Sequence, residues 1–143
     1  MAEDRPGGIV PYLTIRDGRA AEASAFYQRA FGAEELGRHL AQDGKRLMHC
    51  HLKVNDGHLF FSDDFQEFRD DLPAPEPTGT TLHLEVDDAD AWWKRAVDAG
   101  CQITMPLEDQ FWGDRYGRLC DPFGHSWSIS SPIPKVESAQ TAA

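Results

Sequence analysis

The sequence predicts an α+β fold in which one βαβββ unit, a strand followed by a helix and three strands, occurs twice. Three observations predict this repeat. The helical pattern aromatic-aromatic-polar-Arg-Ala-apolar at 26–31 returns 66 residues later, at 92–97. A segment with alternating apolar residues precedes each of these helices. A Gly-His pair at 57–58 returns 67 residues later, at 124–125, and each pair precedes a final strand-like segment.

The first unit is bounded by strand and helix signals. Leu13 and Ile15 alternate with polar residues ahead of the helix, and Gly32 follows the helix as a C-terminal residue. The first Gly-His pair indicates a hairpin turn. The unit is predicted to contain strands at about 9–16, 34–41, 45–54 and 57–63 and a helix at about 19–31.

The second unit repeats this order. Leu82, Leu84 and Val86 alternate with polar residues, and Asp87 or Asp88 is placed to cap the helix that follows. That helix is predicted to end near the next glycine. The unit is predicted to contain strands at about 80–87, 102–108, 115–121 and 125–131 and a helix at about 89–99.

The two units are predicted to form one domain. A chain of 143 residues suits a single domain with its own core. Because each unit has one helix for one face of a four-stranded sheet, we expect the two sheets to curve into a half-open barrel with a cavity. The domain spans 9–131, with unit 1 at about 9–63, a linker at about 64–79 that is proline-rich from 71, and unit 2 at about 80–131. Residues 1–8 and 132–143 are predicted to be flexible.

Charge and composition narrow the choice of partner. A net charge of -10 argues against nucleic acid and anionic membranes, which need clustered Lys and Arg. We find neither a signal-peptide pattern at the start nor an apolar run long enough for a membrane span, so we expect a cytoplasmic protein. Cys50, Cys101 and Cys120 lack CxxC spacing and are interpreted as reduced, buried thiols.

Strand alternation predicts which residues face the cavity. If one set of alternating residues packs under the helices, the other set points to the opposite face. The predicted core set is Leu13, Ile15, Met48, Cys50, Leu52, Phe60, Leu82, Leu84, Val86, Trp127 and Ile129. The predicted cavity set is Val10, Tyr12, Thr14, Leu47, His49, His51, Leu59, Phe61, Asp63, Thr81, His83, Glu85, Ser126, Ser128 and Ser130. Its mixture of aromatic, ionisable and hydroxyl side chains is typical of a ligand cavity.

The stretch DQFWGDRYG at 109–117 has no counterpart in the first unit. On one interpretation it only forms a hairpin whose aromatic residues close one end of the barrel. On the other, Phe111, Trp112 and Tyr116 offer flat faces to a ligand and Arg115 supplies a planar cation. Of the neighbouring tryptophans Trp92 and Trp93 on the second helix, one is expected in the core and the other half exposed.

Three segments resemble the vicinal oxygen chelate superfamily of glyoxalases, bleomycin-resistance proteins and dioxygenases, in particular its PhnB-like branch. They are 12–35, 48–63 and 107–130. The resemblance implies a homodimer whose chains share cavities. It also implies four metal-ligand positions, which fall here on Val10, Phe61, Thr81 and Ser128. None of the four is a His or Glu, so the resemblance is to members that bind a ligand without a metal.

The favoured hypothesis is therefore metal-independent binding of a small aromatic or amphipathic molecule, for sequestration or resistance. The predicted ligand-binding residues are Tyr12, His49, His51, Phe61, His83, Phe111, Trp112, Arg115 and Tyr116. The alternative is a lyase, transferase or dioxygenase that uses a divalent metal at a displaced site formed by His49, His51, His83 and Glu85. A third interpretation is a subunit whose exposed tryptophans contact a protein partner.

Overall fold

The computed structural model describes residues 5–134. Within this range the chain forms two four-stranded sheets and two α-helices, in the predicted order. The elements are β1 (Tyr12–Ile15), α1 (Ala20–Phe31), β2 (Glu34–Leu40), β3 (Leu47–Val54), β4 (Gly57–Asp63), β5 (Thr81–Glu85), α2 (Ala89–Ala99), β6 (Gln102–Asp109), β7 (Asp114–Cys120) and β8 (Ser126–Pro132). A short 3-10 helix, Gln66–Arg69, lies in the predicted linker.

The two sheets have the same topology. The strand orders are β1-β4-β3-β2 and β5-β8-β7-β6, and the first pair in each order is parallel while the others are antiparallel. The α+β class and the repeated βαβββ unit are confirmed. We call the two units, β1 to β4 with α1 and β5 to β8 with α2, module 1 and module 2.

Helix α1 packs against both sheets. Tyr27 and Phe31 are fully buried on it. Tyr27 contacts Phe61 of the first sheet edge-to-face, whereas Phe31 stacks on Trp127 of the second sheet with ring centroids 4.2 Å apart. The Tyr27 hydroxyl donates to Asp121 at 2.6 Å. The core of the molecule therefore lies between the modules and is built around α1.

Helix α2 is more exposed than α1. Its side-chain cap is Asp88, which accepts a hydrogen bond from Ala91 N. The expectation that one of its neighbouring tryptophans is core is wrong, because Trp92 and Trp93 are both half-buried. Trp93 lies so close to Gly117 on β7 that a Cβ added there would be 2.5 Å from its ring.

The two hairpins before the last strands differ in length. In module 1 Val54 pairs with Gly57, so the turn holds only Asn55 and Asp56, both at positive φ as in a type I′ turn. In module 2 Cys120 pairs with Ser126, and the loop between them has five residues. The two Gly-His pairs are therefore not structurally equivalent, although they align in sequence.

This difference reverses the predicted faces of β4. Phe61 was expected in the cavity and Phe60 in the core, but Phe61 is fully buried under α1 and Phe60 is half-buried on the other face. The predicted cavity positions Leu59 and Asp63 are likewise buried. The prediction was wrong by one residue because it aligned β4 with β8 through the Gly-His pairs.

The start of β3 departs from prediction in the same way. Leu47 is fully buried and Met48 is 44% exposed, the reverse of the predicted faces. The cause is an irregularity in the β2–β3 pairing between His39 and Leu40, which shifts the alternation at this end. From Cys50 onward the predicted faces of β3 are observed.

Two further expectations concern thiols and membrane spans. Cys50 and Cys101 are buried and Cys120 is half-buried; all three are free thiols. Burial raises the pKa of Cys50 and of Cys101 to about 12, so both stay protonated near neutral pH. Within residues 5–134 no helix is long and apolar enough to cross a membrane.

Candidate functional site

Each sheet has one face turned away from the helices, and we call these the first and second open faces. On the first, the centre is Phe60, which pairs in register with Tyr12 of β1 and His51 of β3. The Phe60 ring lies edge-to-face against both His49 and His51, with centroids 4.8 Å away in each case. The Tyr12 hydroxyl is hydrogen-bonded to His49 Nδ1 at 3.0 Å. Four rings therefore form one continuous surface.

Above this surface lies a cavity of about 900 Å³. Its lining combines rings from β3 and β4, a further imidazole and small and apolar residues from β2, and one arginine with small and apolar residues from the segment ahead of β1. The lining residues are Arg5, Pro6, Gly8, Val10, Leu36, Gly37, His39, His49, His51 and Phe60. Gly37 lies beside His51 in the sheet, and its lack of a side chain leaves the floor open there.

Burial keeps the His49 and Tyr12 side chains of the first open face uncharged near neutral pH. Burial lowers the pKa of His49 below its ordinary value of 6.5, and the neighbouring His39 lowers it further by charge repulsion. Burial also raises the pKa of Tyr12. His51 Nε2 and His58 Nδ1 are 2.7 Å apart, so one ring donates and the other accepts. Uncharged rings of this kind suit stacking on a planar ligand.

The second open face carries a hydrogen-bonded polar network instead. His83 Nδ1 is 2.6 Å from the Ser128 hydroxyl, and His83 Nε2 is 2.6 Å from a Glu85 carboxylate oxygen. Ser130 donates to the same oxygen at 2.6 Å. Hydrogen bonds from Ser130 and then His83 lower the pKa of Glu85. Both ring nitrogens of His83 are thus engaged within the face.

The hydrogen-bonded series Ser128–His83–Glu85 has the connectivity of a serine hydrolase triad. The burial of the serine excludes nucleophilic attack on a substrate in this geometry. A nucleophile must be reached by the substrate, and Ser128 is only 2% exposed. Arg118, its neighbour on β7, is hydrogen-bonded to Thr81. The network therefore holds the second face together.

An aromatic row leads from this network to the β6–β7 loop. Tyr116 stacks over His83 with centroids 6.0 Å apart, and Trp112 meets Tyr116 edge-to-face at 5.9 Å. Phe111 contacts Trp112 and is itself 97% exposed. The predicted aromatic residues of the 109–117 stretch are thus brought together with His83.

Arg115 does not join this row. It pairs in register with Ser131, whose hydroxyl accepts from Ala89 N at the start of α2, so its side chain lies on the helix side of the sheet. There its guanidinium is held by Asp90 and Asp109, with all N–O distances at 3.1 to 3.2 Å. Strand alternation thus places Arg115 on the opposite side of the sheet from Tyr116, with which it was predicted to bind a ligand.

The predicted ligand-binding residues therefore fall into separate groups. Tyr12, His49 and His51 meet on the first open face. His83, Tyr116, Trp112 and Phe111 follow one another on the second. Phe61 lies in the core and Arg115 on the helix side.

The positions at which metal-dependent relatives would hold a cation do not fit one here. Val10 has no lone pair, and register makes Phe60, not the predicted Phe61, the counterpart of Ser128; Phe60 has none either. Thr81 and Ser128 are hydroxyls already bonded to neighbours. Across the described residues no three His, Cys, Asp or Glu side chains are grouped to hold a metal. The displaced set is divided, with His49 and His51 on one sheet and His83 and Glu85 on the other.

Sequence reasoning missed the two residues that complete the first face, Phe60 and His39. A signal for Phe60 is present in the sequence. Asn55-Asp56 between two alternating segments is typical of a two-residue type I′ turn. That turn pairs Val54 with Gly57, and counting along the strands then pairs Phe60 with His51.

Known proteins resemble this chain in both sequence and structure. The family model described as Glyoxalase/Bleomycin resistance protein/Dioxygenase superfamily matches residues 9–129. An uncharacterised protein of Mycobacterium tuberculosis strain H37Rv is 40% identical over 147 residues, covering 100% of this chain and 85% of the relative. Protein YjdN of Escherichia coli K12 is 25% identical, covering 85% and 93%. A crystallised Pseudomonas aeruginosa protein, 28% identical, superposes with a TM-score of 0.69 over 89% of this chain and 98% of its own.

Proposed function

Since this chain belongs to the glyoxalase/bleomycin resistance protein/dioxygenase superfamily, we propose that it binds a small planar aromatic or amphipathic molecule without the help of a metal ion. The site we propose is the first open face. The observation that carries the proposal is the ring surface of Phe60, His49 and His51 that lines a cavity of about 900 Å³, with Tyr12 hydrogen-bonded to His49 at its side.

The chemistry of this surface favours a flat, largely uncharged ligand. Ligand cavities of ~300 to 1,000 Å³ that combine aromatic walls with a few polar groups suit drug-sized molecules. The lowered pKa of His49 keeps its ring neutral near pH 7. The Tyr12 hydroxyl and the imidazole nitrogens supply donors and acceptors that would orient the ligand.

The biological role we propose is sequestration or resistance. The family is named in part for bleomycin resistance proteins, and a surface that stacks and hydrogen-bonds a ligand has what sequestration requires.

The test measures binding of the neutral fluorescent probe 2-naphthol. Wild-type protein should bind it saturably, and Phe60→Ala should raise Kd about tenfold because a face of the stack is lost. Phe68→Ala is the matched control: Phe68 is a 73% exposed aromatic residue outside the cavity, and its removal should leave Kd unchanged. Equal Kd values for the two variants would contradict the proposed site.

The aromatic row of the second open face is a second place where a ligand could stack. Trp112, 51% exposed, reports on it by fluorescence. If the ligand reaches both faces, 2-naphthol should quench this tryptophan, and Trp112→Ala should remove that signal. Quenching lost in Trp112→Ala with unaltered binding in Phe60→Ala would move the site to module 2.

We further propose a cytoplasmic homodimer in which the two chains share their cavities. Free thiols at all three cysteines support a reducing compartment. The outer strands β2 and β6 expose Leu40, Ile103 and Met105 at 41% or more, which supports a partner at these edges. Native mass spectrometry of the intact protein would give a mass of two chains, and a single-chain mass at micromolar concentration would count against the dimer.

The alternative function is that of a metal-dependent lyase, transferase or dioxygenase. It requires His49 and His51 to meet His83 and Glu85 across two chains or after a rearrangement. Elemental analysis of protein purified without added metal tests it. Stoichiometric Zn, Ni, Mn or Fe that is lost in a His51→Ala, His83→Ala double variant would favour the enzyme over the binding protein.

A further inference from the structure

A second cleft, of about 350 Å³, lies where the two modules meet, away from both open faces. Module 1 contributes Arg16 and Arg19 from the connection between β1 and α1. Module 2 contributes Gln102 and the turn at 121–124. The modules are joined here by Arg19 Nη1, which donates to the Pro122 carbonyl at 3.2 Å, and by His125 Nε2, 3.2 Å from the Thr14 carbonyl.

Arg16 has an unused donor in this cleft. Its Nε–H is buried and has no hydrogen-bond partner among the described residues. One of its terminal nitrogens lies beside Gly124, where an added Cβ would be 3.5 Å from Nη2. A buried guanidinium N–H without an acceptor is unfavourable by about 1 to 3 kcal/mol, so such groups normally have a partner. The Arg16 side chain is one of those that line the cleft.

Arg19 stands next to this donor and is held rigidly. Two of its nitrogens donate to the Glu22 carboxylate, at 3.1 and 2.7 Å. Its guanidinium lies over the Phe123 ring, 4.5 Å from the ring centre. Because the side chain is fixed on three sides, it provides a preorganised positive charge at the wall of the cleft.

The carboxylates near the cleft do not use the Arg16 donor. Asp121 accepts four hydrogen bonds, from the Tyr27 hydroxyl, the Trp127 indole and the N–H groups of Phe123 and His125, so both of its oxygens are engaged in the core. Glu22 is paired with Arg19. The third carboxylate, Asp17, is an exposed residue at positive φ.

We propose that Arg16 and Arg19 form a binding site for a compact oxyanion, the carboxylate or phosphate group of a small molecule. The Arg16 guanidinium presents N–H donors that match the oxygens of either group, and Arg19, whose Nε and Nη2 already donate to Glu22, adds a fixed cationic side chain beside it. The bound oxyanion gives the Arg16 guanidinium an acceptor in the cleft and bridges the modules. This site is separate from the aromatic ligand surface and does not depend on it.

The experiment is an NMR titration of the intact chain with inorganic phosphate or acetate, at ionic strength kept constant with sodium chloride. Saturable amide shifts are expected at 16–19 and 121–124. Arg16→Gln should raise the midpoint at least about tenfold, the value of one charge-assisted hydrogen bond. Arg38→Gln removes an exposed arginine paired with Glu35 on β2 and should leave the midpoint unchanged.

The two anions distinguish the sources of the ligand. A lower midpoint for phosphate assigns the site to a phosphorylated molecule, and a lower midpoint for acetate assigns it to a carboxylate. Linear shifts spread over the surface, or equal midpoints in Arg16→Gln and wild type, would overturn the proposal. If Arg16→Gln does not fold, the map of shifts in the wild-type protein decides, because saturable shifts confined to other segments contradict the site.

Discussion

The two modules share a topology but differ in what their open faces carry. The central row of the first face runs through Tyr12, Phe60 and His51, and the row in the same register on the second face runs through His83, Ser128 and Arg118. The first row is held by ring contacts and lies under a cavity. The second is held by hydrogen bonds that engage both nitrogens of His83.

The two modules agree, however, in how the start of each helix is held: a side chain at the end of the last strand accepts a hydrogen bond from the first backbone N–H of the helix. Asp63 accepts from Ala20 N at the start of α1, and Ser131 accepts from Ala89 N at the start of α2. Each occupies the same place at the end of the last strand. Backbone N–H groups at a helix start need an acceptor in either module, whereas the open faces are free to differ. The repeat therefore fixes the scaffold and leaves the site to the individual side chains.

The largest expected effect concerns the two hairpins. Asp121→Ala removes four buried hydrogen bonds between and within the modules, and it should lower the free energy of unfolding by about 5 kcal/mol. Asn55→Gly removes only one hydrogen bond, to the Glu85 carbonyl, at a position whose positive φ suits glycine, and it should change stability by less than about 1 kcal/mol. Urea unfolding measures both values.

A similar loss in both variants would break the comparison, because it would mean that the short hairpin joins the modules as firmly as the long one. Circular dichroism at low temperature shows whether Asp121→Ala still folds. If it does not, Asp121→Asn keeps an acceptor for the N–H groups of Phe123 and His125 and should fold with a smaller loss of stability.

The next largest effect concerns Trp127 and Phe60, which align in sequence but lie on opposite faces. Trp127 stacks on Phe31 in the core and is 2% exposed, so Trp127→Ala should lower the free energy of unfolding by about 4 kcal/mol. Phe60→Ala removes a half-buried ring from the open face and should lower it by about 1 kcal/mol or less. Losses of equal size would place Phe60 in the core after all.

The fold could be predicted from the sequence because its signals are local and occur twice. The helix repeat, Gly32 and Asp88 define the helices to within one residue at each end. Alternation in β8 gave the correct faces for Trp127 and Ile129 because the strand is regular. These features depend on backbone periodicity, and periodicity can be read from the chain alone.

The site could be predicted only in part, since it depends on the pairing between strands. The hairpin before β4 has two residues and the one before β8 has five, so aligning their Gly-His pairs put β4 out of register by one residue and exchanged the faces of Phe60 and Phe61. The ion pairs of Arg115 could not be predicted, because the partners that hold it, Asp90 and Asp109, come from α2 and β6. The cleft at Arg16 was not foreseen, because it forms only where the modules meet.

A smaller effect on stability is expected from substitutions where a helix packs on β7 in module 2 or on β3 in module 1. Gly117 lies against Trp93, and Gly117→Ala places a Cβ 2.9 Å from the Leu107 backbone, so it should cost about 2 kcal/mol through overpacking. The module 1 counterpart in register is Cys50, fully buried with room for its sulfur. Cys50→Ala should cost about 1 kcal/mol through the small cavity it leaves. Thermal unfolding that is insensitive to Gly117→Ala would mean that Trp93 readily moves aside.

The smallest expected effect is in the pH dependence of stability, where the two faces respond in different ranges. The folded-state pKa of His49 lies below its ordinary 6.5, so the unfolded chain binds more protons and the stability falls as the pH drops below about 6.5. Glu85 has a folded-state pKa below its ordinary 4.5. Its contribution to the free energy of unfolding is present above that value and is lost as the pH falls through the folded-state pKa.

His49→Gln should flatten the plot of stability against pH between pH 7 and about 5, and Glu85→Gln should flatten it below about 4.5. Urea unfolding at several pH values measures both, and each variant is the control for the other. A change in the range of the other residue would show that the two faces are coupled and not independent.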